Sequence, residues 1–118
     1  MKALLKRRLL DAGRYSLLGL LAAWRSEEAI RVEAVLFCLL APAAFWIGDN
    51  AVEVCLLIAS LVFVIVVELL NTALEKTIDR ISTERHETSR FVKDVGSAAV
   101  AVSMVQVVVI WALILLMN

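Results

Sequence analysis

Glu68, Asn71, Glu75 and Asp79 are spaced i, i+3, i+7 and i+11. On a helix that spacing puts all four within about 80° of arc. Glu68 closes an uninterrupted apolar run from Leu61 to Val67. A carboxylate in that setting is costly to hold, and an ionisable group within a membrane span marks a functional site by default. The chemistry it suits is that of a general base. Glu75, nearer water, suits a hard cation such as Mg²⁺, which prefers oxygen ligands and retains several waters. Asn71 can donate to an anion while accepting elsewhere. Lipid cannot solvate such a face, so it must turn toward protein or a wet cleft. For Asp79 and Arg80 a salt bridge at the membrane edge is the simpler role.

The composition explains why a membrane frames these residues. The chain has 118 residues, 62% of them apolar, with a mean hydropathy of +0.88; soluble domains are apolar in about half their residues. Four glycines and one proline exclude collagen and low-complexity chains, and zero net charge argues against a nucleic-acid partner. Three stretches approach the roughly 20 residues a helix needs to cross a bilayer. They run from Ile30 to Ile47, from Ala51 to Leu70 with the helix continuing to about residue 74, and from Val95 to Met117. The first holds Glu33 near its start and Pro42 in its interior.

Charge sets the direction of these spans. Six basic residues precede the first span and Arg31 stands at its start, while Lys76, Arg80, Arg85, Arg90 and Lys93 lie between the second and third. The connection Gly48-Asp49-Asn50 and the C-terminal end carry none. All twelve Lys and Arg therefore fall on one side, which the positive-inside rule assigns to the cytoplasm. The N-terminus is expected inside and the C-terminus outside, with no cleavable secretory signal.

Between Leu9 and Trp24, Leu9, Leu10, Leu17, Leu20, Leu21 and Trp24 share an arc of about 120°, with Arg7, Arg8, Asp11, Arg14 and Arg25 opposite. A basic amphipathic helix over about 4–26, lying in the membrane interface, is expected. Glu27 and Arg31, four apart, would make an ordinary i,i+4 pair, while Glu33 needs a partner that the sequence does not name. The connection Thr83-Glu84-Arg85-His86-Glu87-Thr88 leads to Lys93-Asp94-Val95-Gly96-Ser97-Ala98-Ala99, a basic residue and small residues at the start of the third span. Helix N-termini attract anions, and small residues let another backbone approach. His86 reads as a solvated loop histidine. Cys38 and Cys55 read as buried, unpaired small hydrophobes. There is no Walker phosphate loop, no G-x-G-x-x-G, no H-E-x-x-H and no paired CxxC. Three helices are too few to shelter such a polar ladder, which implies an oligomer.

The run Val67-Glu68-Leu69-Leu70-Asn71-Thr72-Ala73-Leu74-Glu75 with Asp79-Arg80, then Glu84-x-His86-Glu87 and Lys93-Asp94-x-Gly96-Ser97-Ala98-Ala99, resembles the signature of the small bacterial integral-membrane diacylglycerol kinases. Tyr15-Ser16, Ala22-Ala23-Trp24, Glu27 and Arg31-x-Glu33 fit the same family, so the resemblance covers nearly the whole chain. It implies one membrane kinase domain over residues 1–118, an all-α fold of three transmembrane helices with an N-terminal surface helix, and homotrimers with sites between subunits. It implies transfer of the γ-phosphoryl group of MgATP to diacylglycerol, giving phosphatidic acid, at the cytoplasmic face of a bacterial inner membrane. By position, Glu68 would be the base, and Glu27 and Glu75 would hold Mg²⁺, overturning the ordinary pair read for Glu27. Arg8, Tyr15, Glu27, Glu75, Glu84, Arg85, His86, Lys93 and Asp94 would contact the nucleotide, with Asn71 and Asp79 lining the site. Trp24, Arg31, Glu33, Glu68 and Ser97 would border the lipid. Arg85 stands where the family often has an aromatic residue, Ser26 replaces a common asparagine, and Leu18 and Leu21 replace basic positions.

Two other functions compete with this expectation. The related undecaprenol kinases share the chemistry with a polyprenol acceptor; Arg31-x-Glu33 and Asp79-Arg80-Ile81 favour the diacylglycerol branch. A non-enzymatic oligomeric membrane protein, such as a proton-coupled transporter with Glu68 as its relay, would also account for the buried carboxylate.

Overall fold

The protein is described by a computed structural model covering residues 1–82 and 84–118. Thr83, the first residue of the polar connection, lies outside the described residues. Four helices follow in order: α1 (Lys2–Ser26), α2 (Glu28–Ile47), α3 (Ala51–Ile81) and α4 (Glu87–Met117). The last three are long and apolar enough to cross a membrane. Pro42 sits inside α2 without ending it.

Both α3 and α4 have 31 residues, about 46 Å at 1.5 Å per residue. The hydrocarbon core is about 30 Å thick, so each helix outruns its apolar stretch: α3 reaches Ile81 and α4 begins at Glu87. The polar extensions hold as helix because they are capped and paired. His86 Nδ1 accepts the Thr88 N–H at 3.1 Å at the start of α4, and Lys93 Nζ donates to Asp79 Oδ1 at 2.8 Å across the two helices.

The opposite end of α3 closes on a variant of the capping box, in which Glu53 reaches one residue past the N-cap. Asn50 Oδ1 accepts the Glu53 N–H and Glu53 Oε1 accepts the Asp49 N–H, each at 3.0 Å. Asn118 Nδ2 donates to the same Glu53 oxygen at 2.8 Å, tying the end of α4 to this turn. Gly48 is required there: a Cβ would stand 2.7 Å from Val54 Cγ2 and 3.0 Å from the Val54 nitrogen.

α3 packs against both α4 and α2, while α1 touches chiefly α2. The packed centre is small: Leu57, Leu61 and Val64 of α3 and Ile30 and Ala44 of α2 are its buried apolar residues. Most of each span faces outward, as expected of helices whose solvent is lipid. Cys38 and Cys55 are among the outward residues. The expectation that they are buried fails because an apolar side chain in a bilayer gains nothing by retreating into the protein. On α1, Ala23 is the sole buried residue.

A polar cluster joins α3 to α4 within the apolar region. Gln106 Nε2 donates to the Ser60 carbonyl at 2.8 Å, and Trp111 Nε1 donates to Ser60 Oγ at 3.1 Å. Interhelical hydrogen bonds in membranes average about 0.6 kcal/mol. Gln106→Leu is therefore expected to lower stability by about 0.6 kcal/mol, read by unfolding in mixed detergent micelles.

Candidate functional site

Along α3 the polar ladder moves from burial to water. Glu68 and Asn71 are buried, Glu75 is half-buried and Asp79 is exposed. Glu68 has found the partner that Glu33 lacked in sequence. The two carboxyl groups, one from α2 and one from α3, face each other within side-chain hydrogen-bonding range, and both Glu33 oxygens lack any donor among the described residues. Glu27 and Glu75 lie near enough for their charge to be felt at Glu68. Two helices, α2 and α3, and the α1–α2 corner thus bring four carboxylates toward one point.

Asn71 connects this group to α4. Its Nδ2 donates to Glu75 Oε1 at 3.3 Å, and its buried Oδ1 has no donor among the described residues. That oxygen sits against the backbone of Gly96, where a Cβ would overlap it. The small residue at 96 therefore admits a side chain of α3, whereas Ser97, Ala98 and Ala99 face outward.

One expectation needs correction here. A single chain already shelters Glu68, Asn71 and Glu33 between α2, α3 and α4, so burial of the ladder does not by itself demand an oligomer. The ladder's inner half is narrow enough for two neighbouring helices to cover it.

Glu27 is corrected too. It caps α2 in extended conformation, φ −123° and ψ 116°, and its carbonyl accepts the Arg31 N–H at 3.4 Å, but the side-chain pair with Arg31 does not form. Its carboxylate approaches Lys76 Nζ of α3 at 3.8 Å. Arg31 Nη1 instead donates to the carbonyls of Trp24 and Arg25, at 2.6 and 3.2 Å.

Where α3 and α4 leave the apolar zone, a cleft of about 670 Å³ opens between them, lined by Asp79, Glu84, Arg85, His86, Lys93 and Asp94 among others. Lys93 is held charged: its hydrogen bond to Asp79, with the Asp79 and Glu75 charges, raises its pKa above the usual lysine value. A fixed ammonium and an arginine in a cleft of this size suit a polyanion. His86 lines it while serving as the α4 cap, so it is exposed as expected but ordered. Arg8 and Tyr15 are exposed on α1, and no α1 residue lines this cleft. Trp24 and Ser97 are also exposed.

Among the described residues, no group of three or more His, Cys, Asp or Glu side chains forms a ready metal cage. The donor set is nevertheless right for a hard cation. Mg²⁺ is typically held by one or two carboxylates, with waters and substrate phosphates completing its shell, and Glu27 and Glu75, both close enough to act on Glu68, are the pair that would supply them.

Residues 14–115 match the family described as prokaryotic diacylglycerol kinase. The chain belongs to that family. A diacylglycerol kinase of Pseudomonas aeruginosa is 46% identical over 110 residues, covering 93% of this chain and 89% of its own length. The diacylglycerol kinase of Haemophilus influenzae is 44% identical over 107 residues, 91% of each, and that of Escherichia coli K12 is 43% identical over 108 residues, 92% and 88%. As a member of this family with three apolar helices, the chain is a membrane kinase.

Periodicity in the sequence located the ladder of this kinase, but four contacts escaped it. Glu33–Glu68, Asn71–Gly96, Lys76–Glu27 and the arginine cap on α1 all join different segments. The one available signal was the lone Glu33 in an apolar stretch, which required some partner.

Proposed function

We propose that the chain is an ATP-dependent diacylglycerol kinase that makes phosphatidic acid. The observation that carries this reading is the placement of Glu68, buried at the junction of apolar span and polar ladder and facing Glu33, in a member of this family. Glu68 takes the proton of the lipid hydroxyl as that oxygen attacks the γ-phosphorus of ATP. A phosphorus–oxygen bond forms to the lipid as the bond from the γ-phosphorus to the β,γ-bridging oxygen breaks, and ADP leaves with the electron pair. Phosphoryl transfer depends mainly on positioning and electrostatic stabilisation, so no soluble-kinase fold is needed.

Lys93 and Arg85 meet the phosphates, with Glu84, His86 and Asp94 around the remainder of the nucleotide and Asp79 orienting Lys93. Glu27 and Glu75 would hold Mg²⁺, which when bound neutralises charge on the transferring group. Asn71 orients Glu75. Trp24, Glu33 and Ser97 border the lipid, close to the depth at which Glu68 sits. Arg8 and Tyr15 remain outside the cleft of their own chain and are read as reaching the nucleotide of a neighbouring copy in a homotrimer, which also bears on why α1 leaves so much surface uncovered. The distribution of basic residues supports a site on the cytoplasmic face of a bacterial inner membrane, with the far end of α4 outside.

Glu75→Gln is expected to raise the Mg²⁺ concentration for half-maximal activity by at least about tenfold, the loss typical even for an outer partner of a metal ligand; an unchanged titration would remove Glu75 from the metal site. The acceptor is tested in mixed micelles with γ-labelled ATP, offering diacylglycerol and undecaprenol separately. Diacylglycerol is expected to be labelled faster, and faster labelling of undecaprenol would transfer the reading to the polyprenol branch.

A further inference from the structure

α1 ends at Ser26 and α2 begins at Glu28, so the chain turns on Glu27 alone. A helix end leaves its last four carbonyls without intrahelical partners. Here the Glu27 N–H takes the Ala23 carbonyl at 2.9 Å. The next two, Trp24 and Arg25, both accept from Arg31 Nη1. A guanidinium at this point also meets the negative end of the α1 dipole. Because Arg31 belongs to the first turns of α2, its side chain joins the end of one helix to the beginning of the next across the residue between them. Glu27, its N–H bonded to Ala23 and its carbonyl to the Arg31 N–H, brings its carboxylate to 3.8 Å from Lys76 of α3.

We propose that Arg31 is a positioning residue, which clamps the α1–α2 corner so that the Glu27 carboxylate faces the α3 ladder, and that it is not a ligand for the lipid. This rests on the metal role read for Glu27 above. Outer partners that orient a metal ligand typically change metal affinity by 10–100-fold when removed.

The test uses the full-length enzyme in lipid nanodiscs with a non-hydrolysable ATP analogue, Mn²⁺ binding being followed by electron paramagnetic resonance without turnover. Arg31→Gln is expected to weaken Mn²⁺ binding about tenfold, and Arg31→Lys, which keeps a cation and donors for the carbonyls, to recover part of it. In parallel assays of Arg31→Lys, the KM for diacylglycerol is expected to stay at its original value. A raised lipid KM with unchanged Mn²⁺ affinity would overturn the proposal and make Arg31 a lipid contact. Glu27→Gln is measured alongside. Weakened Mn²⁺ binding there but not in Arg31→Gln overturns the positioning role alone; no weakening in either overturns the metal role of Glu27, and the positioning role with it.

Discussion

Glu68→Gln is expected to lower lipid phosphorylation by about 10²–10⁴-fold, the range that general acid–base catalysis contributes. The substitution changes shape very little, and the new amide can donate to the Glu33 carboxylate that faces it. The packing of α2 against α3 should therefore survive, and Glu68 is not among the residues that line the cleft proposed for the nucleotide. What is lost is the ability to accept the proton from the lipid hydroxyl. The check is paired: phosphorylation rate in micelles, and binding of a fluorescent ATP analogue, which should be unchanged. Retained phosphorylation would remove Glu68 from the base role; lost nucleotide binding would mean that the substitution had disturbed the fold.

Gly96→Val is expected to lower stability by about 1–3 kcal/mol, the usual penalty for inserting side-chain volume into a packed site, and to reduce activity with it. Even a single Cβ at 96 would overlap Asn71 Oδ1. Asn71 is buried and cannot swing aside without losing its hydrogen bond to Glu75. The damage thus passes from α4 through Asn71 to a carboxylate proposed to hold the metal. Gly96→Ala should show a smaller loss of the same kind. Unfolding in mixed micelles measures the first effect, and a Mg²⁺ titration of activity the second. A Gly96→Val enzyme with original stability and metal dependence would show that α3 and α4 are not packed through this contact.

Much of this was legible in one dimension. A helix repeats every 3.6 residues, so the spacing of Glu68, Asn71, Glu75 and Asp79 put them on one face before any contact was known. The apolar lengths marked the three helices able to cross a membrane. Contacts between helices were not legible, because rotation and register depend on packing that no single segment encodes. Glu33 needed a partner, but nothing local distinguished Glu68 from Glu75. The ladder already carried α3 out to Asp79, but the start of α4 at Glu87 was not legible, because its polar residues resemble a loop until Lys93 meets Asp79 across the two helices. The Glu27–Arg31 spacing misled for a related reason: the i,i+4 rule presumes a continuous helix, and the chain breaks at Glu27.

The most direct measurement follows the phosphoryl group itself. Purified enzyme in micelles is given Mg²⁺, γ-labelled ATP and diacylglycerol, and labelled lipid and ADP are quantified over the same interval. The expected result is labelled phosphatidic acid formed one for one with ADP; ADP formed without labelled lipid, or neither product, would contradict a lipid kinase whose buried carboxylate deprotonates the acceptor.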